Sequence, residues 1–135
     1  DAKYFIDDAW SIFFSGTLTR GEDTSADRPL NRITPYKANY GVIYESEFDA
    51  FYINAELSAS SVMEQDRVGV EEKPTSGYTT VDFKAYLTHD NGIRTSFSVE
   101  NLFDKTYYDH LSYGWQQLDY AAMGRNAKLE ISYQF

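Results

Sequence analysis

Between Asn126 and Phe135 every second residue is apolar: Ala127, Leu129, Ile131, Tyr133 and Phe135 alternate with Asn126, Lys128, Glu130, Ser132 and Gln134. Successive side chains of an extended chain point to opposite sides, so this pattern predicts a strand with one apolar and one polar face. The pattern recurs along the chain. Trp10, Ile12, Phe14, Gly16 and Leu18 oppose Ser11, Phe13, Ser15, Thr17 and Thr19, with Phe13 the one exception. Ala38, Tyr40, Val42 and Tyr44 oppose Lys37, Asn39, Gly41 and Ile43; Phe51, Ile53, Ala55, Leu57 and Ala59 oppose Tyr52, Asn54, Glu56 and Ser58. Val81, Phe83, Ala85 and Leu87 oppose Asp82, Lys84 and Tyr86, and Ile93, Thr95, Phe97 and Val99 oppose Arg94, Ser96, Ser98 and Glu100. Asp1–Ile6 reads as the tail of a further strand. No apolar face carries a charge, although 24% of the chain is charged. Such faces lie in a core or in lipid.

The links between these runs alternate in length. Phe5–Ala9, Glu45–Ala50 and Thr88–Gly92 are tight, and His89-Asp90-Asn91-Gly92 carries the Asn-Gly hairpin signal. Gly21–Tyr36, Ser61–Gly77 and Leu102–Arg125 are long. Brief turns on one side and extended loops on the other are how outer-membrane barrels are built.

Two architectures use strands of this kind. A soluble calyx turns its apolar faces inward, whereas a membrane barrel turns them outward and lines its lumen with the polar faces. Four features favour lipid. The strands have about the 9–11 residues that cross a bilayer when tilted. Aromatic residues collect at strand ends (Trp10, Tyr44, Phe48, Phe51, Tyr78, Tyr133, Phe135), where amphipathic rings suit the interface. Lys37, Glu56, Asp82, Lys84, Arg94, Glu100, Lys128 and Glu130 sit on the opposite faces, as in a wet lumen. The last residue, Phe135, is an aromatic within the final strand. The 17% aromatic content thereby finds a place at strand ends and in loops, in a chain whose mean hydropathy is −0.53.

Six or seven strands fall short of the eight with which single-chain barrels begin, and an open edge in lipid leaves backbone groups unsatisfied. The expectation is an all-β fold, an antiparallel transmembrane β-barrel segment belonging to a larger barrel. Other classes are disfavoured. No run of 18 apolar residues makes a membrane helix, and no basic, apolar leader marks a signal peptide. The net charge of −9 argues against nucleic-acid binding, and the absence of Cys excludes thiolate zinc sites. No G-x-S-x-G, H-E-x-x-H or P-loop motif is present, so no catalytic residue is assigned and the chain is read as not an enzyme.

The stretch Glu100-Asn101-Leu102-Phe103-Asp104-Lys105-Thr106-Tyr107-Tyr108, followed by Gly124-Arg125-Asn126 and the closing Tyr133-Gln134-Phe135, resembles the C-terminal end of TonB-dependent outer-membrane receptors. Arg28-Pro29-Leu30-Asn31-Arg32-Ile33-Thr34-Pro35-Tyr36 and Gly77-Tyr78-Thr79-Thr80-Val81-Asp82 resemble two further pieces of that family in the same order, so the likeness covers most of the chain from about Arg20 onward. In that family a barrel of about 22 strands encloses an N-terminal plug. The resemblance implies that residues 1–135 are the C-terminal part of such a barrel, with plug and earlier strands lying elsewhere, in the bacterial outer membrane. It implies import of a scarce nutrient, a ferric siderophore foremost, with energy delivered by the TonB complex through the N-terminal part. The implied partners are outer-membrane lipid, the TonB complex, a metal-chelate or other nutrient ligand and the barrel-assembly machinery. The alternatives are a soluble β-barrel binding a small ligand and a passive porin-like barrel.

For single residues, the last long loop is the best place for ligand contact. Tyr107, Tyr108, His110, Tyr113 and Trp115 offer rings to stack on or hydrogen-bond a chelate, against the plainer reading that they form an interfacial girdle or pack loop on loop. Tyr133 and Phe135 are lipid-facing aromatics or, as the resemblance implies, part of the signal read by the assembly machinery. Asn101 to Asp104 read as structural, and His89 as a solvated turn residue. Glu22, Asp23, Asp27, Glu64, Asp66, Glu71 and Glu72 read as solvated loop acids without EF-hand spacing. Two distant His, and Met63 and Met123 without a spacing motif, give no metal site, and no cofactor is implied.

Overall fold

The computed structural model describes residues 1–70, 72–113 and 120–133. The elements, in order, are β1 (Ala2–Phe5), β2 (Trp10–Thr17), β3 (Glu22–Asp23), β4 (Arg28–Pro29), β5 (Lys37–Phe48), β6 (Phe51–Val62), β7 (Tyr78–His89), β8 (Ile93–Glu100), the one-turn helix α1 (His110–Tyr113) and β9 (Asn126–Tyr133). Seven strands form one antiparallel sheet in the order β1-β2-β5-β6-β7-β8-β9, and β3 and β4 make a small separate pair.

Register puts the expected faces together. Ile12 pairs with Val42, Val42 with Leu57, Leu57 with Phe83, Phe83 with Val99 and Val99 with Ala127. A single apolar face therefore runs unbroken across six strands without Asp, Glu, Lys or Arg. On the other face Glu56 stands opposite Lys84, and Glu45 accepts hydrogen bonds from Tyr52 Oη and Asn54 Nδ2, both at 2.9 Å. A strand of 12 residues is about 40 Å long, or about 30 Å along the membrane normal at a tilt of about 40°, enough to cover an apolar band about 25 Å tall.

The sheet has almost no interior. Among the described residues Val99 is the sole buried apolar side chain of the sheet, while Phe14, Leu57, Leu129 and Ile131 are 45–68% exposed. The accessible surface is 9655 Å², against about 7,200 Å² for a compact protein of this mass. A calyx would enclose these side chains; an apolar face left open is complete only against lipid.

All three tight turns fall on one rim. Asp7 Oδ1 accepts from the amides of Ala9 (2.8 Å) and Trp10 (2.7 Å), and Asn91 Oδ1 accepts from the Ile93 amide at 3.1 Å. Gly92 takes a φ of 87°, which a side chain rarely tolerates, so the Asn-Gly signal marks a real turn. The link expected across Glu45–Ala50 shrinks to Asp49-Ala50, because residues 45–48 continue to pair with residues 51–54. β6 and β7 likewise outrun their apolar alternation, and β2 stops at Thr17, two residues early. His89 ends β7 instead of sitting in the turn, with its ring 5.9 Å from that of Phe51. Next to it Phe48 and Phe51 stack at 4.8 Å, and Trp10 and Tyr44 meet at 4.8 Å, forming an aromatic girdle on this rim.

Candidate ligand-capture site

The three long connections meet beyond the opposite rim, and the last is anchored by the Asn101–Lys105 block. Asn101 adopts a φ of 51° and Asp104 one of 54°, conformations that Asn and Asp tolerate better than most residues. The Asn101 amide donates to Asp82 Oδ1 (2.8 Å), its side-chain Nδ2 donates to the Lys105 carbonyl (2.9 Å), and its Oδ1 accepts from the Lys105 amide (2.8 Å). Asp104 Oδ1 accepts from the Arg125 amide at 2.8 Å, tying the start of the loop to its return. The block shapes the wall, as its sequence suggested.

Above it lies a cleft of about 400 Å³ between the middle and last long loops. Thr75, Ser76 and Tyr78 form one side; Lys105, Thr106, Tyr107 and Tyr108 form the other. Tyr78 and Tyr107 stack at 4.2 Å with planes 29° apart, and Tyr78 Oη donates to Asp109 Oδ2 at 3.4 Å. Tyr78 lies on the polar face of β7, in step with Asp82, Lys84 and Tyr86, so the cleft opens at the mouth of the polar side. Burial, together with the carboxylates of Asp109, Asp82 and Glu100, pushes the Tyr107 phenol above its ordinary pKa, keeping it a neutral hydrogen-bonding group. Gly77 admits no side chain, since a Cβ would lie 2.9 Å from the Glu64 nitrogen and the Val62 carbonyl oxygen. This close approach lets the middle loop turn directly into β7.

Of the expected contact residues, the cleft brings together Tyr107 and Tyr108, the latter 40% exposed. His110 is placed differently: it is 4% exposed, and its Nδ1 shares a 3.0 Å hydrogen bond with Thr75 Oγ1. Tyr113 closes α1, and Trp115 and Phe135 lie outside the described residues. Tyr133 ends β9 on the apolar face opposite Ile93, 61% exposed. Thr75, Ser76 and Tyr78 were not singled out from sequence as ligand contacts, although Gly77-Tyr78 marks the strand start beside them. Of the loop acids, Glu22, Asp27, Glu64 and Asp66 are exposed as expected, Asp23 is half-exposed, Glu71 lies outside the described residues, and Glu72 departs from the expectation. Glu22 pairs with Arg67, and Asp23 Oδ1 accepts from the Ser25 hydroxyl (2.6 Å) and amide (3.1 Å), which holds its carboxyl below the usual range. The Glu72 side chain is only 6% exposed, because the Arg32 amide of the first loop and the Gly69 amide of its own loop replace its water. Among the described residues no group of three or more His, Asp or Glu is placed to hold a metal ion.

A charge-free outer face, a charged opposite face and loops gathered over one rim define a wall segment of a bacterial outer-membrane β-barrel. No family model matches the chain. It is 28% identical over 130 residues, 93% of its length, to heme/hemopexin utilization protein C of Haemophilus influenzae, and to the same degree to that protein from strain 86-028NP. The chain spans 17% of the length of these curated relatives. In structure it superposes on the copper transporter OprC with a TM-score of 0.85 at 23% identity, covering 98% of this chain and 22% of that one. In fold the chain is a β-barrel wall segment, and these likenesses support its resemblance to TonB-dependent outer-membrane receptors.

Proposed function

We propose that this segment forms the C-terminal wall of a receptor that imports a scarce, metal-bearing nutrient across the outer membrane with TonB-coupled energy, and that the Tyr78–Tyr107 cleft helps capture the nutrient. The observation that carries this reading is the position of the cleft, at the mouth of the polar face and on the rim away from the tight turns. A stacked phenol pair beside Lys105 suits a flat, conjugated, anionic chelate, offering ring area and a counter-charge. A ferric siderophore with aromatic donors fits that description, and so does heme, which the name of the Haemophilus relatives favours. Copper, suggested by the structural neighbour's name, has weaker support: Met63 and Met123 are both exposed and belong to different loops.

The TonB complex engages the N-terminal part of the receptor, and the assembly machinery reads the C-terminal stretch of sequence that includes Tyr133 and Phe135. No catalytic role is assigned. The full-length receptor, expressed in iron-starved cells with hemin or a ferric catecholate as sole iron source, tests the reading. Growth should require TonB, and Tyr107→Ala should raise the concentration needed by about tenfold, the equivalent of one lost stacking contact. Uptake unchanged in cells lacking TonB would make the barrel a passive porin, and full activity of Tyr107→Ala would remove the cleft from capture.

A further inference from the structure

The buried side chains of Glu72 and His110 belong to neither the barrel wall nor the cleft surface, and they sit where all three long loops meet. Glu72, on the middle loop, accepts a 2.5 Å hydrogen bond at Oε1 from the backbone amide of Arg32, on the first loop. Its Oε2 accepts from the Gly69 amide at 3.4 Å and lies 3.9 Å from His110 Nε2, on the last loop. Both side chains are withdrawn from water, 6% exposed for Glu72 and 2% for His110. His110 Nε2 has no hydrogen-bond partner among the described residues. The Thr75 hydroxyl faces the other ring nitrogen at 3.0 Å. If that hydroxyl donates, the ring proton resides on Nε2 and points at the carboxylate. A buried carboxylate is costly unless donors meet its oxygens; here the donors are the amides of Arg32 on the first loop and Gly69 on its own loop, and the His110 ring of the last loop closes over it at 3.9 Å. Gly69 reinforces the junction: a Cβ there would lie 1.5 Å from Asn31 Oδ1, so the first and middle loops are already in contact at this point.

We propose that Glu72 is the positioning residue that joins the three external loops into one body, with Thr75 orienting His110 toward it. Thr75 also lines the cleft, so the junction fixes the distance between the wall formed by Thr75 and Tyr78 and the wall formed by Tyr107 and Tyr108. The inference concerns how the site is held and does not depend on which nutrient is imported or on TonB. Its prediction is selective. Glu72→Gln keeps an oxygen for the Arg32 amide but sets an N–H against the His110 N–H, so it should release the last loop alone. Glu72→Ala should release both neighbours, and Thr75→Ser should release neither.

Spin labels on the full-length receptor in outer-membrane vesicles read this directly, with cysteines introduced at Ser25, Asp66 and Ser112 to mark the first, middle and last loops. The wild type should give two narrow distance distributions, 25–66 and 66–112. Glu72→Ala should widen both by about twofold, as expected for loops released to local motion. Glu72→Gln should widen 66–112 alone, and Thr75→Ser should match the wild type. The exposed-acid control Asp27→Ala should change neither distribution. A heat-shifted gel band for each variant confirms that the barrel is folded. Unchanged distributions in folded Glu72→Ala, or equal widening by Glu72→Gln and Glu72→Ala, would overturn the proposal.

Discussion

Placing an arginine at Leu57 tests which face meets lipid. Leu57 lies at the middle of the 12-residue β6, opposite Val42 and Phe83, and is 45% exposed on the apolar face. Ala38 lies on the same face of the neighbouring strand, four residues beyond Val42 toward the long loops. Four residues span about 13 Å along a strand, or about 10 Å along the normal at a tilt of about 40°. Within an apolar band about 25 Å tall, Leu57 is then near the midplane and Ala38 near the boundary. Leu57→Arg should cost about 2–4 kcal/mol and Ala38→Arg no more than about 1 kcal/mol. Ser58→Arg, one residue from Leu57 but on the polar face opposite Asp82, should stay within about 0.5 kcal/mol of wild type. Urea unfolding of the full-length receptor reconstituted in vesicles measures all three. Equal costs at Leu57 and Ala38, or a larger cost at Ser58 than at Leu57, would refute the depth argument and the assignment of faces.

Other outcomes follow from the loops. Asn101→Ala removes three side-chain hydrogen bonds and forces alanine into a φ of 51°, so it should destabilise the last loop by about 2–3 kcal/mol, read as faster amide exchange over residues 101–108; Asn101→Gly, free of the backbone penalty, should cost less. Gly69→Ala must displace Asn31 and should open the first loop to protease, with partial recovery when Asn31→Gly is added. Tyr107 favours its neutral form in the folded state. Its contribution to stability is therefore complete below the ordinary tyrosine pKa of about 10 and is lost as pH rises through the higher folded value. In a phenolate absorbance titration, wild type minus Tyr107→Phe should show a component ionising later than free tyrosine; an ionisation at the ordinary value would contradict the buried placement.

The sheet was legible because lipid and lumen impose opposite demands on alternate residues, and that demand is local. Every expected run became a strand, and the tail at Asp1–Ile6 became β1. Strand ends were less legible. Residues 45–48 and 60–62 are polar or mixed and carry no alternation of their own, yet they are extended because the hairpin partner offers hydrogen bonds. The site was visible only in part. Tyr107 and Tyr108 were found from their ring chemistry, but their partner Tyr78 looked like a girdle residue, since its meeting with Tyr107 depends on how two loops fold over the rim. Glu72 and His110 were misplaced for the same reason. Nothing in a run of loop acids distinguishes the one carboxylate that three loops will surround, because the donors that permit its burial, the amides of Arg32 and Gly69, are backbone groups present at nearly every residue.

The central claim is that two adjacent residues of one strand face different solvents, Leu57 lipid and Ser58 the polar lumen. Nitroxides placed singly at these positions in the full-length receptor, in native-like bilayers, measure this through collisional relaxation with oxygen, which concentrates in lipid, and with a water-soluble nickel chelate. The account predicts that the label at position 57 responds to oxygen and is shielded from nickel, and that the label at position 58 is less accessible to oxygen. Nickel accessibility at 57 exceeding that at 58 would contradict it.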